Sequence, residues 1–286
     1  MAMTSQAALD EPFRDAVAAM DAGDVERLER LLASHPELLS ERADFGEGYF
    51  RRPYLLWFIA ENHVRTGAMP KNVVAVARAI IEAARRAGVP SLREQLDYAL
   101  GLVASGRVAR ESGAQLELID ALVDAGASPD AVRTALAHRE MAAVEHLLHR
   151  GAPLSLAAAV CTGRWDDVPR LVRDADASDR QLALTAAAVA GSERALGVLI
   201  RSGANVDAYS PEGFHAHATP LHQAVSSGSL GAVRVLAEAG ARLDIHDRIY
   251  HGTPLDWAEH LKRDEIAAYL RSRAGDAGKT SDLRTE

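Results

Sequence analysis

The sequence predicts an all-α fold, a curved solenoid of about eight helix-turn-helix units. Three observations carry this expectation. The stretch Thr219-Pro220-Leu221-His222-Gln223-Ala224 returns 34 residues later as Thr253-Pro254-Leu255-Asp256-Trp257-Ala258, a spacing typical of one supersecondary unit repeating along an array. Apolar residues recur at helical spacing on both sides of short turns marked by glycine. Small residues gather in first helices, as in the alanine-rich run 182–190, while second helices carry Leu, Val and Ile. An inner layer packed at shorter spacing than the outer one curves the stack and gives it a concave face.

Taken in order, residues 1–9 show no pattern and are expected to be disordered, and a single solenoid domain is expected over 10–273. Its first unit, Pro12 to Leu39, sets Phe13, Ala16, Val17 and Met20 at helical spacing, turns at Asp21-Ala22-Gly23-Asp24, and repeats the pattern with Val25, Leu28, Leu31 and Leu32. Next comes an aromatic concentration: Tyr49, Phe50, Tyr54, Trp57 and Phe58 are five of the chain's 14 aromatic residues within ten positions. Pro53 is expected to start a helix there that runs through Glu61, with Val73 to Arg86 as its partner. A third unit spans Ser91 to Asp130, its two helices joined by a long connection from Ser105 to Gly113. Gly126-Ala127 recurs as Gly151-Ala152 after only 25 residues, so the intervening unit is short and lacks a finger. Leu154 to Asp174 and Arg180 to Gly203 supply two more units, and the tail 274–286 carries no apolar period.

The last two units are the most regular. Threonine suits the N-cap, proline at the first helical position loses no hydrogen bond, and Gly228 ends the first helix before a second over Leu230 to Glu238. These residues resemble the ankyrin repeat, whose signature is Thr-Pro-Leu-His-x-Ala at a period of about 33 residues. The resemblance implies stacked helix pairs with projecting fingers and a scaffold that binds a protein partner through its concave face and finger loops. It also implies that His222 ties neighbouring turns by hydrogen bonds. Asp256 stands in that place in the final unit.

Composition narrows the function. The 32 basic and 40 acidic residues leave a net charge of −8, with both signs interspersed, which argues against a nucleic-acid binder. No apolar run of about 18 residues predicts a membrane span, and the N-terminus lacks a secretory pattern. Cys161 is the single cysteine, so no intramolecular disulfide forms and a cytoplasmic setting is expected. The chain lacks a phosphate-binding glycine loop, a nucleophile elbow, a zinc-protease helix and a kinase set, so neither enzymatic activity nor a cofactor is expected.

Candidate contact residues fall into three groups. The linker before Thr219 is enlarged: Gly203 to Thr219 spans 16 positions against 13 from Gly240 to Thr253. Read as an extended finger, it places His215 and His217 on one side, where two imidazoles could meet a divalent metal with Glu212 nearby. Tyr54, Trp57 and Glu61 lie along one face of the expected aromatic helix, which suits a cationic or aromatic group. Arg107 and Arg110, with Tyr98 upstream, could fork a carboxylate or phosphate. Trp257 either lines or caps the groove, and Cys161 is expected to be a packed, inert thiol. The alternative to a protein scaffold is therefore a small-molecule or metal site, with or without catalysis, built where the aromatic helix, the arginine loop and the histidine finger share one groove.

Overall fold

A computed structural model describes residues 9–282, and the side chains through Gly275. The described residues are helical, without strands, as the period predicts. They divide into two compact units, Met1–Pro153 and Leu154–Glu286, where the sequence suggests one domain. Residues 1–8 and 283–286 of the segments expected to be disordered lie outside the described part. Leu9 is buried, and the last helix, Asp264–Asp282, continues through the start of the expected tail. No proline interrupts that stretch, and an isolated glycine weakens a helix without ending it.

The first unit opens with α1 (Glu11–Ala22) and α2 (Val25–Ser34). Pro12 sits in the first turn of α1, Phe13, Ala16, Val17 and Met20 are buried, and Gly23 closes the helix at a left-handed φ of 67°. Asp24 caps α2 by accepting from Arg27 N–H at 2.9 Å. Both turns thus form where the sequence places them.

The aromatic segment departs from expectation. Instead of an α-helix from Pro53 to Glu61, the chain makes a short 3-10 segment, Leu55–Ala60, in which all six residues are buried. An amphipathic α-helix needs a polar face, and this stretch has none. It is enclosed by α1, by the turn Pro36–Leu39, and by α3 (Val73–Arg86) and α4 (Leu92–Ala104). Glu61 ends it in a left-handed conformation, φ 47°.

Glu61 is itself buried, and it needs partners. Its Oε2 accepts from the backbone N–H groups of Arg65, Thr66 and Gly67 at 2.9, 3.1 and 3.2 Å. Its Oε1 lies 2.7 Å from Arg65 Nη2 as a charge contact without hydrogen-bond alignment. Arg65 in turn forks Asp21 at 2.9 and 2.8 Å. This network fastens the loop after the aromatic segment onto α1.

Downstream, α5 (Arg107–Glu111) occupies the connection between α4 and α6 (Gln115–Asp124). The expected loop is therefore a turn of helix, opened by Gly106. The short unit follows as α7 (Val132–Ala137) and α8 (Met141–His149), with a first helix of only six residues.

The second unit runs through α9 (Leu156–Cys161), α10 (Val168–Asp174), α11 (Ala177–Ala190), α12 (Glu193–Arg201), α13 (Pro220–Ser227), α14 (Leu230–Glu238), α15 (Pro254–His260) and α16, the last helix. Helix α11 packs against α9, α12 and α13, and its Ala183, Ala186, Ala187 and Ala188 are buried. Only small side chains let neighbours approach from several sides at once. Helices α12 and α14 both start on serine: Ser192 accepts from Ala195 N–H at 3.4 Å and Ser229 from Ala232 N–H at 3.1 Å.

The Glu61–Arg65–Asp21 network yields a stability prediction. The Arg65 and Glu61 side chains are each 3% exposed, so Arg65→Ala leaves a buried carboxylate without its cation, at about 3–5 kcal/mol. Urea unfolding of the full chain should show that loss, and Glu61→Gln in the Arg65→Ala background should recover part of it. A loss below about 1 kcal/mol for Arg65→Ala, the range of exposed pairs, would contradict the assignment.

Candidate functional site

In the second unit, the finger between α14 and α15 is built around Asp247. This carboxylate is fully buried and accepts from Ile249, Tyr250 and Gly252 N–H at 2.9, 2.7 and 2.9 Å, and from the Trp257 indole at 3.0 Å. Burial alone would raise its pKa, but the hydrogen bonds from Tyr250, Trp257, Gly252 and Ile249 outweigh it and hold the carboxyl far below the usual range. The bonds fix the backbone and push the tip outward. Ile249 is 58% and Tyr250 75% exposed.

The enlarged finger, 209–218, is fastened to this one. Arg248 N–H donates to His217 O at 2.8 Å, its guanidinium lies 3.9 Å from the Tyr209 ring centre, and Tyr209 OH donates to His246 O at 2.6 Å. The finger is not extended. Two tight turns, Phe214 N–H to Pro211 O and Ala218 N–H to His215 O, fold it back, and His215 takes a left-handed φ of 53°. That conformation breaks the alternation that would have aimed His215 and His217 together. Their ring centres are 6.2 Å apart and edge-on, and His217 stacks on Trp257 at 6.0 Å. Burial, with the charge of His215, pushes His217 down in pKa against the pull of Asp247. Phe214, buried in the middle of the finger, is the anchor that the sequence reading missed.

His222 performs the tie implied for it. Its Nδ1 meets the Thr219 hydroxyl at 2.8 Å and its Nε2 meets Gly252 O at 3.1 Å, so the proton sits on Nε2. Burial leads in pushing its pKa down, which keeps the ring neutral. Thr219 and His222 thus form a capping box at the start of α13, with the Thr219 hydroxyl also serving the histidine. Asp256 retains the capping half of that role, accepting from Thr253 N–H and hydroxyl at 2.7 Å each.

In the first unit, the three residues of the expected aromatic face lie inside. Tyr54 and Trp57 are 7% and 3% exposed, and the Trp57 indole donates to Gln95 O at 3.2 Å. The cation suited to such rings comes from the chain itself: the Arg42 guanidinium lies 4.2 Å from the Tyr54 ring centre and 5.0 Å from that of Trp57, held by Glu94 at 2.5 Å. Glu61 is spent on Arg65. Tyr98, stacked on Trp57 at 4.0 Å, is the member of the cluster that reaches the surface.

The arginines of α5 also find carboxylates nearby, Arg107 with Glu111 at 2.6 Å and Arg110 with the buried Glu140 at 2.5 Å. The fork expected for an external anion is occupied. Cys161 is a free thiol that burial pushes up to about 12, an unreactive group at neutral pH. Among the described residues, no three His, Cys, Asp or Glu side chains are arranged to hold a metal ion, and no helix is long and apolar enough to cross a membrane. The metal or small-molecule alternative finds no support in this geometry.

The family model for ankyrin repeats (3 copies) matches residues 107–247 and 184–281, together more than half of the chain. Among curated proteins, the chain is 34% identical to cyclin-dependent kinase inhibitor 2A of Homo sapiens over 96 residues, 34% of this chain and 59% of that protein. It is 36% identical over 86 residues to cyclin-dependent kinase 4 inhibitor B of Homo sapiens, covering 30% of this chain and 59% of the relative. The Bos taurus counterpart is 35% identical over 86 residues, 30% of this chain and 63% of its own length. The chain therefore spans about three fifths of these relatives.

Asp247 provides the test of this finger. Its carboxyl is depressed in the folded protein, so its contribution is complete above the unfolded value of about 3.9 and is lost as pH falls through the folded-state value. Asp247→Ala strands buried N–H groups and should lower stability at neutral pH by about 2–4 kcal/mol. In urea unfolding, the gap to wild type should narrow as pH falls from about 4 towards 2. A gap that does not change with pH would contradict this role.

Proposed function

Because the chain belongs to the ankyrin repeat family, we propose that it is a protein-binding module whose second-unit contact surface is the pair of fingers 209–218 and 246–252. One observation carries this reading: the exposed Ile249–Tyr250 tip stands on a backbone immobilised by Asp247. Large side chains on a preordered backbone bind with little further loss of conformational freedom, and tyrosine is favoured among interface hot spots. His215, His217 and Trp257 flank the tip as further contacts. Tyr98 and Arg107 take that role in the first unit.

All three of these relatives are named as inhibitors of cyclin-dependent kinases, which puts a protein kinase domain first among partners to test. A cytoplasmic setting suits the lone cysteine. Binding of the full chain to purified cyclin-dependent kinase domains should be measured by biolayer interferometry. Tyr250→Ala is expected to weaken the complex about tenfold or more with an unchanged melting temperature. A kinase complex indifferent to Tyr250→Ala and Ile249→Ala would refute the finger as the contact. Failure of every kinase domain to bind would remove that partner class.

A further inference from the structure

A cavity of about 390 Å³ opens in the first unit between α4 and α7, bordered by Tyr49. Its floor includes Gly101, in the interior of α4. A helix-interior glycine is about 1 kcal/mol worse than alanine, and here no packing demands it. A Cβ at Gly101 would meet nothing within 4 Å. The missing side chain leaves room.

The walls define what that room accepts. Trp57 covers one face of Tyr98, which is 36% exposed and lines the cavity with Tyr49. The Tyr98 hydroxyl donates to Tyr49 O and the Tyr49 hydroxyl to Asn62 at 3.2 Å, so both rings are held in place. Two carboxylates stand at the rim, Asp97 and Asp130. Asp97 is engaged by Arg93 at 2.9 Å and by Ser128 N–H at 2.6 Å, whereas Asp130 makes none of the ion pairs of the described residues. No Lys or Arg lines the cavity, and His138 is its one basic residue. Fixed aromatic surface beside uncompensated negative charge attracts a planar cation, which can stack on the rings and donate to a carboxylate.

We propose that the cavity over Gly101 receives an arginine side chain from a protein partner. The proposal rests on the protein-binding reading above, with which it shares Tyr98, but it does not involve the fingers and is tested separately.

The probe is N-acetyl-Gly-Arg-Gly-amide, compared with its citrulline counterpart, which has the same shape and no charge. Both are titrated into the full chain and followed by amide NMR shifts. The arginine peptide is expected to shift resonances within residues 97–105 and 130–138, with the citrulline peptide at least tenfold weaker. Gly101→Leu fills the space and improves the helix, so it should abolish the response with an equal or higher melting temperature. Asp130→Asn should weaken binding several-fold. Equal shifts with both peptides, no shift with either, or an unaltered response in folded Gly101→Leu would each overturn the proposal. If a partner bound through Tyr250 is indifferent to Gly101→Leu while the peptide response persists, the cavity serves some other arginine-bearing protein. If the arginine response holds but no kinase domain binds, the proposed partner class fails and the cavity assignment stands.

Discussion

A helix pair of this size cannot bury both of its faces alone, and here the neighbours are joined by buried polar side chains that reach the backbone of an adjacent segment. Gln95 donates to Leu39 O at 2.9 Å and Gln115 to Val103 O at 3.2 Å. Gln181 both donates to Ala208 O at 3.3 Å and accepts from Asn205 N–H at 3.2 Å, and His222 meets Gly252 O at 3.1 Å. A buried carbonyl without a partner costs about as much as a lost hydrogen bond. Each of these side chains therefore fixes one relative placement of helix and loop where apolar packing alone would tolerate several. The histidine of the most regular unit is one solution to this constraint, and glutamine is another.

The same constraint explains why the fingers are stiff at their bases and exposed at their tips. Asp247 gathers three backbone N–H groups and one indole, leaving the residues beyond it nothing to do inside the fold. Ile249 and Tyr250 contribute little to the core, yet they stand on backbone that the core immobilises. Stability and recognition are separated along six residues of chain.

Much of this was legible in the sequence because it is local. The Thr253 cap, the Gly228 stop and the buried stripe Phe13, Ala16, Val17, Met20 each follow from residues within a turn or two of one another. The aromatic segment departs from the expected helical face because six consecutive apolar residues leave no polar side to expose. What Tyr54 and Trp57 do depends on Arg42, which precedes them, and on Glu94, which holds Arg42 from 52 positions away. No periodicity reports such a pairing. The finger departs from an extended segment at two tight turns, one with Gly213 at positive φ and one with His215, a conformation that non-glycine residues adopt rarely. Asp247 had a visible signal, a short carboxylate five positions before glycine and a Thr-Pro start, as in turns where aspartate bonds the backbone ahead of it.

Two glycines show where sequence and structure part company. Gly191 ends α11 with φ 67°, and a Cβ there would come within 2.9 Å of Ser229 Cβ; the fold requires it. Gly101 has ordinary helical geometry and open space above it, so the fold would gain from almost any replacement. In the sequence the two are the same letter. The first is explained by what it touches. The second has no structural cause, and the aromatic and acidic walls around the room it leaves supply a functional one.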